Sequence, residues 1–71
     1  MGASNYVHIE VTKILVETEK AFQLEIVGCE KNVWMPKSQI ADPDDYDEGD
    51  VDVMMSVTEW IAGEKGIKGK D

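Results

Sequence analysis

Apolar and polar residues alternate from the start of the chain. Val7, Ile9 and Val11 are separated by His8, Glu10 and Thr12, the period-two pattern of a strand with one buried face. The phase then slips, because Ile14 and Val16 form the next apolar pair. One extra residue near Thr12 and Lys13 predicts a bulge or bend within a strand running from Tyr6 to Glu17. Glu17 to Lys20 is polar enough for a hairpin turn, and Phe22, Leu24 and Ile26, with Gln23 and Glu25 between them, predict a second strand. Gly28 to Asn32 supplies a turn. Val33-Trp34-Met35 reads as a short third strand stopped by Pro36, and Lys37 to Ile40 as a tight turn. Val51, Val53 and Met55 alternate with Asp52 and Met54 as a fourth strand, on which Asp50 and Asp52 would share one face. Ser56-x-x-Glu59 has capping-box spacing and would open a short helix that carries Trp60 and Ile61 and is closed by Gly66.

These elements predict a mainly β fold with a short C-terminal helix: a small SH3-like or OB-like antiparallel barrel of four strands, or five if the first bends in two. An open sheet with the helix across one face is the alternative. Residues 6–67 make a single domain with an acidic loop at 42–52. Residues 1–5 read as a disordered N-terminus or an expression scar, and 68–71 as a frayed tail. The expected core is Val7, Ile9, Val11, Phe22, Leu24, Ile26, Trp34, Val53 and Trp60. With Trp34 in the core, its loss to Ala would cost about 3–5 kcal/mol.

With 71 residues there is one core, burying about 60% of the unfolded chain's surface, and the hydrophobic fraction of 42% argues for folding rather than disorder. No apolar run is long enough for a membrane helix and the N-terminus lacks signal-peptide layout, so an intracellular, cytoplasmic protein is expected. The lone Cys29 fits neither a disulfide framework nor a metal framework. All seven basic residues are Lys, so the side chain best suited to bidentate phosphate and guanine contacts is missing. Direct binding to nucleic acid is disfavoured.

Charge changes the picture most. The segment Asp42 to Asp52, DPDDYDEGDVD, holds seven carboxylates in eleven residues with no basic residue among them, in a chain of net charge −8. Crowded like charge opposes folding, so the run is a solvated loop, a cation site or a surface offered to something basic. An EF-hand is excluded by spacing: counted from Asp42, the fifth position is Tyr46, and the sixth is Asp47 where glycine is required. An irregular, weak cation site stays open; no cofactor and no metal are expected. An enzyme is not expected either. The single histidine, His8, falls on the expected polar face of the first strand, Cys29 has no basic neighbour before Lys31, and carboxylates in a solvated run lack the pocket a general acid needs. As a nucleic-acid mimic, an extended run would carry one charge per about 5 Å, against about 3.4 Å along each DNA strand. It competes only if Glu17, Glu19, Glu25 or Glu30 gather beside it. Tyr46 adds an aromatic of the kind found at interface centres. The candidate partner-binding residues are Asp42, Asp44, Asp45, Tyr46, Asp47, Glu48, Asp50 and Asp52.

Three further segments carry a resemblance. Trp34 to Gln39 reads Trp-x-Pro-Lys-Ser-Gln, Glu59 to Ala62 reads Glu-Trp-Ile-Ala, and Thr18 to Phe22 fits the opening of the second strand. In these elements, over about residues 10–67, the chain resembles small β-barrel proteins encoded by phages and prophages. The resemblance implies a small-barrel fold and phage origin, with no catalytic motif and no activity attached. Small acidic phage proteins are often stoichiometric inhibitors of host machines, anti-CRISPR and other anti-defence proteins among them. By that analogy the acids would occupy a Lys/Arg-rich channel of a host nucleic-acid-binding complex, with the protein a monomer or weak homodimer in the host cytoplasm. The alternative is an accessory barrel of phage replication or recombination that binds single-stranded nucleic acid or a replication partner. That role needs a basic groove with stacking aromatics.

Overall fold

The twelve residues of β1 (Tyr6–Glu17) are more than one neighbour can use, and the strand divides its length between two. Its first half, Tyr6 to Lys13, pairs antiparallel with β4 (Val51–Thr58), and its second half, Val11 to Glu17, pairs antiparallel with β2 (Ala21–Ile26). β3 (Val33–Pro36) adds to the far side of β2, so the sheet runs β3-β2-β1-β4. A short helix, α1 (Glu59–Lys65), follows β4 and packs against β4 and β1. The fold is thus mainly β, a four-stranded antiparallel open sheet with one short C-terminal helix. The computed structural model describes residues 5–67; the expectations placed on residues 1–4 and 68–71 lie outside them. No helix among the described residues is long and apolar enough to cross a membrane.

The phase slip in the sequence is a bulge, where β1 exchanges one neighbour for the other. Val11 pairs with Ile26 and Lys13 with Glu25, so Thr12 is passed over, and a second irregularity passes over Leu15. An extra residue flips the following side chains to the other face, which is why Val11 and Ile14, three apart, both lie in the core. β4 answers at the same level. Asp52 adopts a left-handed backbone with φ of 53°, a conformation that Asp tolerates better than most residues. Alternation therefore does not run through Asp52, and the expected row of Asp50 and Asp52 along one face is not formed. Asp50 lies before the strand.

Ile9, Val11, Ile14, Phe22, Leu24, Ile26, Met35, Met55 and Val57 build the core from the sheet, and Ile40, Ile61, Ala62 and Ile67 close it. Val7 and Val53 are half-buried against it. Two expected core residues are not there: Trp34 is 45% exposed and Trp60 62% exposed. In β3 the register sets Met35 against Phe22 and Val33 against Leu24, both core-facing partners, so the intervening Trp34 takes the opposite face beside Gln23. In α1, Ile61 and Ala62 occupy the buried side, which leaves their neighbour Trp60 outward.

The helix starts two residues later than capping-box spacing predicts. Ser56 belongs to β4, and Thr58 is the N-cap, its Oγ1 accepting from the Ile61 backbone N–H at 3.2 Å. The same hydroxyl donates to Gln39 Oε1 at 2.7 Å, so one buried group joins the helix to the turn after β3. Gly66 closes α1 with φ of 69°, as expected. Thr58→Val should cost about 1–2 kcal/mol, because it removes a cap and a buried hydrogen bond at nearly constant volume. Urea melts of the two proteins measure that difference; equal midpoints would mean that water replaces both bonds.

Between β3 and the acidic loop the chain turns back toward β4. Lys37–Gln39 is a single 3-10 turn, Ile40 forms an antiparallel bridge to Val57, and the Ala41 N–H donates to the Ser56 carbonyl at 2.9 Å. This contact satisfies part of β4's outer edge and delivers the acidic loop to the end of the sheet where β4 begins.

Candidate functional site

The acidic loop is a tied-down structure, not an extended ribbon. Asp42 opens it with a left-handed backbone, φ of 52°, and Pro43–Asp45 make a 3-10 turn in which the Asp45 N–H donates to the Asp42 carbonyl at 3.0 Å. Tyr46 comes next, half-buried against the core, and its hydroxyl donates to the Met54 carbonyl at 3.4 Å. A second turn spans Asp47 to Asp50. The Asp50 carboxylate accepts from the Asp47 N–H at 2.9 Å, and the Asp50 N–H donates back to the Asp47 carbonyl at 3.1 Å. Gly49, with φ of 94°, allows the reversal. Two backbone bonds of 2.8 Å then seat the loop on β1, Gly49 N–H to Ile14 carbonyl and Ile14 N–H to Asp50 carbonyl.

A charged brace holds the same junction from the other side. The Glu48 carboxylate accepts from the Glu17 N–H at 2.8 Å, while the Glu17 carboxylate accepts from the Glu48 N–H at 3.4 Å. Glu17 also takes the Lys37 ammonium at 2.8 Å, and Lys37 lies over the buried Phe22 ring with Nζ 4.8 Å from its centroid. The hydrogen bond from Lys37 is the main reason the Glu17 carboxyl is held below its ordinary pKa. A depressed carboxylate stabilises the fold above the unfolded-state value, and that contribution is lost as pH falls through the folded-state value. The loop junction should therefore loosen in acid. In an NMR titration the Glu48 amide should follow the Glu17 carboxyl, with a midpoint below that of a free glutamate, and Lys37→Met should raise that midpoint. A Glu48 amide indifferent to Lys37→Met would refute the brace.

The eight residues predicted to bind a partner divide by their surroundings. Tyr46, Glu48 and Asp50 are engaged in fixing the loop. Asp42, Asp44, Asp45, Asp47 and Asp52 are exposed, and none of them carries an ion pair among the described residues. A hydrogen-bonded backbone thus presents five exposed carboxylates. Of the acids that were to gather beside the run, Glu17 does so, but Lys37 offsets its charge; Glu25 stands opposite Lys13. The loop is therefore a dense local anionic knob and lacks the even spacing of a phosphate backbone.

No three of the described His, Cys, Asp and Glu residues are grouped so as to hold a metal ion. His8 is exposed on the outer face of β1, opposite Ser56. Cys29 is half-buried in the β2–β3 turn, in an open groove of about 340 Å3 shared with Glu30, Lys31 and Lys65. The feature that sequence reasoning missed is aromatic: Trp34, Trp60 and Tyr6 are all about half exposed or more. The sequence carries no signal of this at Trp34, because Val33, Trp34 and Met35 are all apolar and either face of the strand could turn inward. No protein-family model matches this chain, and no curated protein or solved structure shows significant similarity to it.

Proposed function

We propose that this is a non-enzymatic, acidic protein of phage type that binds a basic, nucleic-acid-binding host protein or complex in the host cytoplasm and inhibits it, as anti-CRISPR and other anti-defence proteins do. The observation that carries the reading is the braced loop with Asp42, Asp44, Asp45, Asp47 and Asp52 exposed and without an ion pair among the described residues. A solvated linker has no need of a reciprocal Glu17–Glu48 brace, a Tyr46 anchor and backbone bonds to β1. Holding anions in place before contact lowers the ordering cost of association with a basic surface. The finer fold we propose is a small SH3-like or OB-like barrel: an isolated bridge from Ile40 to Val57 sets the chain after β3 beside β4, in the direction that closure of such a barrel would take.

A second reading, an accessory barrel that binds single-stranded nucleic acid, draws on Trp34 and Trp60, exposed as stacking platforms would be. Their surroundings favour the first reading, because a chain of net charge −8 repels phosphates. Capture from a bacterial lysate followed by a competition assay decides between them. Under the inhibitor reading, the captured protein loses its own nucleic acid as this chain is added, and this chain alone shifts no single-stranded DNA or RNA in a gel. A shift by the chain alone that weakens as salt rises would overturn it in favour of the accessory barrel.

A further inference from the structure

Gly63 lies within α1, and glycine inside a helix is less stable than alanine. Nothing in the fold calls for it. A Cβ at Gly63 would meet no atom within 4 Å, and the residue that closes the helix with a positive φ is Gly66. The glycine therefore answers neither to backbone conformation nor to packing inside the chain. What it changes is the outer surface. At about 3.6 residues per turn, the exposed side of α1 runs across Glu59, Gly63, Trp60 and Glu64, while Ile61 and Ala62 take the buried side. The middle of that side is a tryptophan 62% exposed beside bare helix backbone, and an exposed carboxylate flanks it to either side. Neither Glu59 nor Glu64 has an ion pair among the described residues.

We propose that the outer side of α1 is a second contact surface for the basic protein partner, whose chain packs on the bare backbone at Gly63 while a lysine or arginine lies over the Trp60 ring. A missing side chain lets another chain approach the helix closely. Trp is the best ring for holding a cation and a residue type enriched where interfaces are held most tightly. Charge then selects the occupant. Glu59 and Glu64 repel an acidic protein or the phosphates of a nucleic acid. A second copy of this chain meets two obstacles. A two-fold antiparallel pairing that sets Trp60 of one copy on Gly63 of the other also sets Glu59 against Glu64. The seven residues of α1 span only about 10 Å, too little for the roughly 800 Å2 per partner of a stable interface. A basic surface on a larger protein meets neither obstacle. The occupant's charge rests on the reading given above, and the surface itself is separate from the acidic loop.

The probe is the protein that the immobilised parent chain retains from a bacterial lysate, purified and measured against variants by surface plasmon resonance. Gly63→Ala separates binding from folding. It should raise the thermal midpoint by improving helix propensity, and yet weaken binding at least about fivefold by placing a methyl group in a close contact. Trp60→Ala should leave the midpoint nearly unchanged, because most of that side chain is already in water, and should weaken binding at least about thirtyfold. Parent-like affinity in either variant would overturn the proposal. So would a parent chain that sediments as a dimer and is dispersed by Gly63→Ala, which would assign the surface to a second copy. Reversal of Asp44, Asp45 and Asp47 to Lys tests the loop separately. If that variant binds like the parent while Gly63→Ala and Trp60→Ala do not, the loop reading fails and the helix surface stands; the opposite pattern removes the helix surface and leaves the loop. A parent chain that retains no protein overturns both.

Discussion

Phe22→Ala should cost about 3–5 kcal/mol, the range for emptying a fully buried aromatic site, and leave much of the chain unfolded at room temperature. Phe22 has no exposed surface and sits where β2 meets both neighbours, opposite Met35 on β3 and Glu17 on β1. Lys37 covers its ring, so the loss reaches the brace beneath the acidic loop as well. At roughly 0.05–0.15 kcal/mol per residue, a chain of 71 residues has only about 4–10 kcal/mol to lose. Trp34→Ala, although it removes more atoms, should cost about 1–2 kcal/mol, because nearly half of that side chain is in water already. Urea denaturation followed by circular dichroism measures both. If Trp34→Ala proved the more damaging, Met35 would not be the residue β3 turns inward and the β2–β3 register would be wrong.

That contrast marks how far the fold could be read from residues alone. Strand identity was legible because apolar and polar residues alternate over Val7–Val11 in β1 and Phe22–Ile26 in β2, and the slip at Thr12–Lys13 announced the bulge by its phase. β3 was legible as a strand but not in orientation: three consecutive apolar residues carry no polar contrast, and Trp34 was placed inside for its size. The pairing of Met35 with Phe22 decides the matter, and pairing is a property of two strands. The helix start was misplaced for a related reason. Ser56 has capping-box spacing, yet β4 continues through it because Ser56 pairs with His8 on β1, and the cap passes to Thr58. Sheet pairing outweighed a local capping signal worth about 1 kcal/mol. Within the acidic run the sequence marked the charges and Tyr46. It could not separate the carboxylates that build the loop from those the loop presents, since that division depends on Glu17, Ile14 and Lys37, all distant in the chain.

Replacing Asp44, Asp45 and Asp47 together with Lys should abolish binding to the captured partner and leave the fold intact. None of the three side chains accepts a hydrogen bond or an ion pair among the described residues; the loop is held instead by Asp50, Glu48, Tyr46 and backbone bonds. Exposed substitutions of this kind change stability by less than about 0.5 kcal/mol each, so the thermal midpoint of the triple variant should move by no more than about 6–12 °C. Each replacement adds two charge units, taking the net charge from −8 to about −2, and three cations now face a surface evolved to hold anions. Because charges at an interface rim act first on encounter, single Asp→Asn changes should slow association and flatten its salt dependence without eliminating binding. The triple reversal should eliminate it, whereas Tyr46→Phe, which keeps the ring and loses only a long hydrogen bond to Met54, should bind nearly as well as the parent. Surface plasmon resonance at two salt concentrations distinguishes these variants. A reversed protein that binds with the parent's affinity and salt slope would show that the loop is solvated structure and that the partner is held elsewhere on the sheet.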